Sequence, residues 1–183
     1  MSNALAVATV TASLAHQLSR VIKDGSTSVP GARVTFLPPS NEGLQSGDPL
    51  VNLFLFKVVP NAYHSHADLP AREAGGRSWG AIDLDYMISF FGDDARLEPQ
   101  RLLGLVVAGI HAEPILSRAV IQDTIATTAW LAASDLALQT EAVKLTPMAP
   151  EQTDQPAFAH PGGRLSVFYR ASTVLLDAPS ATA

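Results

Sequence analysis

The sequence predicts an α+β domain with a mixed or mainly antiparallel sheet and helices packed on one face. Three apolar blocks, at residues 50–61, 99–116 and 165–176, are separated by polar stretches. Residues 81–90 alternate with the period of two that is typical of a strand. Residues 4–22 repeat apolar side chains at steps of three and four, which indicates an amphipathic helix. The order of helix, three strands, helices and two strands lacks the regular alternation of a parallel α/β sheet.

The composition predicts a subunit of an assembly. The chain has 183 residues, of which 47% are hydrophobic and 16% charged. Because globular domains are usually about 25% charged, we expect much of the surface to be buried against other subunits. The length predicts a single domain over residues 4–178, followed by a flexible tail over residues 179–183.

The composition and the charge also disfavour several functional classes. There is no cysteine, which excludes disulfides, thiolate catalysis and cysteine-ligated metal. The net charge of -5, with lysines and arginines scattered singly, predicts no nucleic-acid partner. No window reaches the roughly 18 to 20 apolar residues of a membrane span, and the first residues do not resemble a secretory signal.

The first elements follow from local pattern. Within the helix at residues 4–22, one face carries Val7, Val10, Leu14, Leu18 and Val21. Prolines and glycines bound a short extended piece at residues 32–37. Residues 50–59 are apolar at both odd and even positions, so both faces of the strand are expected to be buried. This pattern predicts the central strand of the sheet. The polar stretch at residues 61–77 predicts a long surface loop that carries contacts.

The remaining elements are predicted in the same way. In the strand at residues 81–90, Asp83 and Asp85 lie on the face that is expected to contact water. Pro99 begins a helix that runs to His111, and Pro114 breaks this helix and begins a second one that runs through Ile125. Residues 136–145 predict another strand, with an offset near residue 142. Residues 146–163 predict a loop, and residues 164–176 a strand covered on both faces.

Two sets of polar residues could support chemistry. His64 and His66, with Asp68 nearby, could ligate zinc, or could be solvated loop side chains. Asp83 and Asp85 lie about 7 Å apart along one strand face and could serve as an acid and a base. A solvated face or an ion pair between subunits explains these aspartates more simply. No nucleophile, phosphate-loop or metalloprotease motif occurs, and we expect no metal and no cofactor.

Aromatic side chains and histidines in or beside the loops are candidate interface residues. Loop aromatics either anchor an interface or fold back onto the core, and both readings remain open. The candidates are Tyr63, His64, His66, Trp79, Trp130 and Phe158.

The blocks VNLFLFKVVPNAY, DLP, AIDLDYMISFFGDD, EPQRLLGLVVAGIHAEPIL and LSVFYRASTVLLD, in this order, resemble a known family. It is the N-terminal domain of the cap, or tail terminator, proteins of extracellular contractile injection systems. The resemblance covers roughly residues 4–178. It implies a tail-terminator-like fold and a non-catalytic subunit of a hexameric ring, which closes the distal end of the inner tube and anchors the last sheath ring.

The same resemblance implies assembly in the cytoplasm, within a particle that can be released from the cell. It also makes an open sheet edge a candidate acceptor for strands of the sheath, either the strand near Val143 or the final strand. Two alternatives remain. One is a metal-dependent hydrolase that uses the loop histidines and strand aspartates, and the other is an adaptor between tube and baseplate.

Overall fold

A mixed β-sheet organises the part of the chain that the computed structural model describes, which is residues 2–24, 29–38, 47–61, 79–149 and 164–177. Within these residues the sheet has five strands in the order β1-β2-β3-β5-β4. β1 is parallel to β2, and the other neighbours are antiparallel. The strands are β1 (Arg33–Thr35), β2 (Leu50–Pro60), β3 (Trp79–Phe91), β4 (Lys144–Met148) and β5 (Ser166–Asp177). The predicted mixed sheet is confirmed.

Helices cover one face of this sheet, as predicted. The described residues form α1 (Ala6–Asp24), α2 (Glu98–Ala112) and α3 (Arg118–Thr127), with 3-10 turns at Asp94–Arg96, Ala129–Leu131 and Leu136–Leu138. One hydrophobic core joins these helices to alternate residues of β3. Its members include Leu14, Leu18, Leu102, Val106, Ile121, Leu84, Tyr86, Ile88 and Phe90. None of the described helices combines the length and hydrophobicity that a bilayer crossing requires.

α1 buries a wider face than the predicted apolar stripe. Thr9, Ser13 and Gln17 are buried alongside the leucines. The Thr9 hydroxyl lies 2.6 Å from the Ser134 hydroxyl, and the Gln17 amide donates to the Glu113 carbonyl at 2.8 Å. These bonds tie α1 to the segments after α2 and before β4, whereas the Ser13 hydroxyl and the Gln17 amide oxygen have no hydrogen-bond partner among the described residues.

α1 and α2 approach each other closely at Gly109. A Cβ atom at this position would lie 2.5 Å from Cγ2 and 2.7 Å from Cγ1 of Val21. Only glycine permits this distance, because the branched Val21 side chain is held in one rotamer by its own helix. Gly104, on the same helix, has no neighbour within 4 Å of such an atom.

The predicted start of α2 is confirmed, whereas the second helix, predicted to begin at Pro114, begins only at Arg118, because Ile115 is bridged to Lys144 of β4. Pro99 lies in the first turn of α2, where its missing N–H costs nothing. Ser117 caps α3, and its hydroxyl accepts from the Val120 N–H at 3.2 Å. Both signals are local, so the sequence carries them without tertiary information.

The predicted centre of the sheet is wrong, because β3 and not β2 is the central strand. β2 lies between β3 and the short β1, and only its first part, Leu50 to Leu53, is fully buried. Val58 near its end is half exposed. Apolar residues at both odd and even positions therefore indicate that part of β2 is buried on both faces. They do not indicate where β2 lies in the sheet.

The predicted wet face of β3 is also wrong. Asp85 is buried, and Arg170 of β5 donates to it twice, from Nε to Oδ1 at 2.7 Å and from Nη2 to Oδ2 at 2.9 Å. The hydrogen bond to Asp85 is the main reason that the pKa of Arg170 is raised. Asp83 accepts from the Asn61 amide at 2.8 Å and from the Thr173 N–H at 3.0 Å. The aspartates are thus structural partners inside one chain.

The segment predicted as a strand from residue 136 begins as a 3-10 turn, and the strand starts only at Lys144. The buried side chain of Gln139 replaces strand pairing there. It donates to the carbonyl of Thr173 at 2.8 Å and accepts from the N–H of Leu175 at 2.9 Å. Thr173 has a φ of 68° at a bulge in β5, and Gln139 and Asp83 hold its carbonyl and N–H in this rare conformation.

β4 extends into the predicted loop at residues 146–163, as far as Met148. Pro147 fits there because β4 is an outermost strand, where a missing N–H on the open side breaks no ladder bond. The final strand, β5, lies between β3 and β4. It is therefore not a sheet edge, and the expectation that it accepts a strand is wrong. Residues 62–78, residues 150–163 and the predicted tail lie outside the described residues.

Replacing Asp85 by alanine should destabilise the fold by about 3 kcal/mol, because Arg170 loses its partner in a largely buried pair. Asp48→Ala is the matched control. Its partner Arg33 lies 3.3 Å away, and both side chains are more than half exposed. The control should cost less than about 1 kcal/mol. Urea unfolding measures both values, and equal losses would contradict the central role of the Asp85 pair.

Alanine at the two glycines of α2 should have effects of opposite sign. Gly104→Ala should stabilise the chain by up to about 1 kcal/mol through helix propensity. Gly109→Ala should destabilise it by about 1 to 3 kcal/mol, because the new methyl group overlaps Val21. Thermal or urea unfolding of the two variants tests this, and a stabilised Gly109→Ala variant would show that the helices can separate freely.

A candidate assembly surface beside the first helix

A groove with a volume of about 460 Å³ runs along the solvent-facing side of α1. Its floor is formed by small α1 side chains at steps of three and four, which share one face of a helix. They are Ala8, Ala12, Ala15 and Ser19, with Thr11 and His16 beside them. Because these side chains are short, the neighbouring elements rise above the helix and form walls.

Two exposed aromatic side chains form these walls. Phe36, which directly follows β1, is 55% exposed, and Trp130, in the turn after α3, is 63% exposed. Leu131 beside Trp130 is fully buried, and its N–H donates to the Thr128 carbonyl at 2.8 Å. Leu131 therefore anchors the turn in the core, while the indole of Trp130 is exposed to solvent. Large exposed aromatic side chains beside an apolar groove are typical of protein interfaces.

Two polar side chains that line the groove, Thr11 and His16, already have partners. The Thr11 hydroxyl lies 2.8 Å from the Tyr86 hydroxyl, which reaches the groove floor from the core. Burial raises the pKa of Tyr86 well above its usual range, and the bond to Thr11 opposes this only partly. His16, the one titratable side chain among the described lining residues, lies 3.1 Å from Asp123. The groove is thus suited to an uncharged, apolar segment.

The structure brings one predicted interface residue, Trp130, into this groove. Trp79 is the first residue of β3, where its backbone is paired with that of Asp177. The other four candidates, Tyr63, His64, His66 and Phe158, lie outside the described residues and stay predictions.

Sequence reasoning missed Phe36 and the small face of α1. Phe36 falls inside the predicted extended piece at residues 32–37. The one sequence signal for its exposure is that this piece is short and bounded by prolines, which leaves few positions that can be buried. The alanines of α1 lie between the apolar positions that predict the helix and carry no signal of their own. A face of small residues has no sequence signature that separates it from ordinary helix surface.

The geometry gives no support to acid–base chemistry at the strand aspartates. Asp85 accepts two hydrogen bonds from Arg170, and Asp83 is bonded to Asn61 and Thr173. Within the described ranges, no group of three histidine, aspartate or glutamate side chains could hold a metal ion. His64 and His66, which the hydrolase reading also requires, lie outside these ranges.

Comparisons with known proteins agree on one family and one fold. The sequence matches the family model of the Pvc16 N-terminal domain over residues 9–183. The fold is similar to that of a chain in a cryo-EM structure of an extracellular contractile injection system, described as the PVC sheath/tube terminator in the extended state, with a TM-score of 0.51 and 12% identity. The similarity covers 91% of this chain and 56% of that chain, so this chain spans little more than half of its length. No curated protein matches the sequence.

Tyr86→Phe should make the stability less sensitive to alkaline pH. Because the folded pKa of Tyr86 is raised by burial, its contribution is fully present below about pH 10 and is lost as the pH rises further. The free energy of unfolding of the native chain should therefore fall more steeply above pH 10 than that of the variant, by up to about 1.4 kcal/mol per pH unit. Thr11→Val, which keeps the phenol, should retain the steep dependence. Parallel curves for the native chain and Tyr86→Phe would contradict this account.

Proposed function

The chain belongs to the family of the Pvc16 N-terminal domain, and from this membership we propose that it is a structural subunit of the terminator of an extracellular contractile injection system. The observation that carries the proposal is the family match over residues 9–183. The fold shared with a sheath/tube terminator supports it. In the finer proposal, six copies form a ring that closes the distal end of the inner tube and anchors the last sheath ring.

The chemistry of the described residues supports a non-catalytic role. Both strand carboxylates are used inside the fold, and the groove beside α1 presents apolar and aromatic surface. Such a surface can be desolvated against a partner at little cost, whereas an active site requires a polar group that is free to react. The proposed role of the subunit is therefore structural: it fills a position in the particle and binds the neighbouring subunits.

Ring closure is a matter of symmetry. Identical subunits form a closed ring when one surface of each contacts a different surface of the next, with a rotation that returns to its start. A ring on a six-fold tube must have a matching rotation. The ring would stop growth of the tube by covering its end, and it would give the terminal sheath subunits an attachment that survives contraction. Assembly would take place in the cytoplasm, before release of the particle.

Removal of this chain from a producing strain should yield particles whose tubes vary in length and whose sheaths lack a closed end. Negative-stain images of particles, scored for length and end structure, measure this. Re-expression of the native chain should restore uniform, capped particles. Uniform capped particles in the strain without the chain would overturn the proposed function.

Point variants in the complemented strain test which surface is used. Trp130→Glu should leave the fold intact, because the side chain is exposed, and should fail to restore capped particles, because a carboxylate in the groove resists desolvation. Leu138→Glu is the matched control, since Leu138 is 74% exposed and is not among the residues that line the groove. It should restore the particles. Equal complementation by both variants would exclude the groove as the contact surface.

A further inference from the structure

Leu97, in the loop between β3 and α2, has a backbone conformation that is rare for a leucine. Its φ is 54° and its ψ is 31°, in the left-handed region, which glycine and asparagine tolerate much better. The other described non-glycine residue with a positive φ, Thr173, is held in place from inside the fold by Gln139 and Asp83. The Leu97 side chain, by contrast, is 57% exposed. Backbone strain and an exposed apolar side chain therefore coincide at this residue.

The loop that carries Leu97 is fixed by its own hydrogen bonds. The N–H of Leu97 donates to the Asp94 carbonyl at 3.1 Å, and the carbonyl of Leu97 accepts from the Arg101 N–H at 3.0 Å. The buried carboxylate of Glu98 accepts from the Asp93 N–H at 3.0 Å. Because Leu97 both ends the 3-10 turn and precedes the first turn of α2, its surroundings impose the left-handed conformation. The leucine side chain therefore projects into solvent from a fixed backbone.

Most charged groups of this loop are engaged within it. Asp93 accepts from the Ala95 N–H at 2.8 Å, and Glu98 lies 3.5 Å from Arg96. Asp94 is exposed, and its carboxylate has no partner among the described residues. The loop thus presents one apolar side chain, with one unpaired carboxylate close to it in the chain.

The groove beside α1 is complementary in shape and in polarity. Its alanine floor and its walls, Phe36 and Trp130, leave room for an aliphatic side chain between two aromatic rings. No described residue of the Leu97 loop lines the groove of its own chain. A contact between the loop and the groove therefore requires two copies of the chain.

The charges at one end of the groove also match the loop. Arg20 directly follows Ser19, a lining residue, and its side chain is about half exposed. The guanidinium of Arg20 lies 3.7 Å from the Glu113 carboxylate, which is a long distance for an ion pair. Because a guanidinium has five N–H donors, Arg20 can bind a second carboxylate. Asp94 of another copy has the charge that this position favours.

We infer that Leu97 of one copy inserts into the groove beside α1 of the next copy, between Phe36 and Trp130, with Asp94 next to Arg20. The inference rests on the proposed function, since it names the contact that joins neighbouring subunits of the terminator. Each copy supplies one loop and one groove, which is the pairing of unlike surfaces that a closed ring of identical subunits requires. Removal of the leucine and both aromatic rings from water offsets the strain that Leu97 carries in the free subunit.

Leu97→Gly separates the contact from the folding of the chain. Glycine removes the side chain and relieves the left-handed strain, so the variant should unfold at an equal or higher urea concentration than the native chain. In particles purified from the complemented strain, the amount of this chain per particle should fall at least tenfold. Leu138→Ala is the matched control, because Leu138 is 74% exposed and has no positive φ. It should be incorporated at the native level, and native incorporation of Leu97→Gly would overturn the inference.

Cross-linking locates the contact directly, because the native chain has no cysteine that could react. Ala95→Cys and Ser19→Cys, combined in one chain, keep Leu97 and both charged partners. A short thiol-reactive cross-linker applied to assembled particles should give linked species larger than a dimer on denaturing gels, whereas each single variant should give at most a dimer. Adding Leu97→Gly to the double variant should lower the yield at least tenfold.

Three outcomes of the cross-linking would overturn the inference: products that stop at a dimer, links to another protein of the particle, or no links between copies. Each leaves the proposed function standing if particles without the chain are still uncapped. Uniform capped particles without the chain would instead overturn the proposed function, so the two failures can be told apart.

Discussion

The fold depends on the burial of β3 on both faces. One face packs Leu84, Tyr86 and Ile88 against the helices, and the other places Asp85 against Arg170 of β5. A slip of one residue would exchange these faces, which would put carboxylates into the helix core and leucine opposite the guanidinium. The bidentate pair between Asp85 and Arg170 therefore fixes the register of β3 in the sheet as well as linking β3 to β5. The bulge at Thr173, held by Asp83 and Gln139, adjusts β5 to the same register.

α1 connects this central strand to the outer surface. Its apolar face completes the core over β3, and its small face forms the floor of the groove. Thr11 belongs to both, because it lines the groove and its hydroxyl meets the hydroxyl of buried Tyr86. The close approach to α2 at Gly109 limits how far α1 can move. A docking surface built on such a fixed helix is preorganised, so less conformational entropy is lost when a partner binds.

The two outermost strands of the sheet differ in what they offer to other chains. β4 is covered by the segment before α3 and interrupted by Pro147, whereas β1 leaves outward N–H and C=O groups next to exposed apolar side chains. An asymmetric pair of edges favours contacts between unlike surfaces, which is the kind of contact that rings and end caps require. It also disfavours edge-to-edge pairing of identical chains, which leads to open-ended aggregation.

The sequence by itself determined the elements whose signals are local. The period of three and four in α1, Pro99 at the start of α2 and the break at Pro114 all act within a few residues, and the α+β class follows from their order. The tertiary structure alone decided the rest. Asp83 and Asp85 show a pattern typical of a wet strand face, and their burial depends on partners such as Arg170, far along the chain. The 3-10 turn at Leu136–Leu138 depends on Gln139 reaching β5. The groove exists because Phe36 and Trp130, which are far apart in sequence, lie on either side of α1. No local sequence pattern encodes that these two residues are close in space.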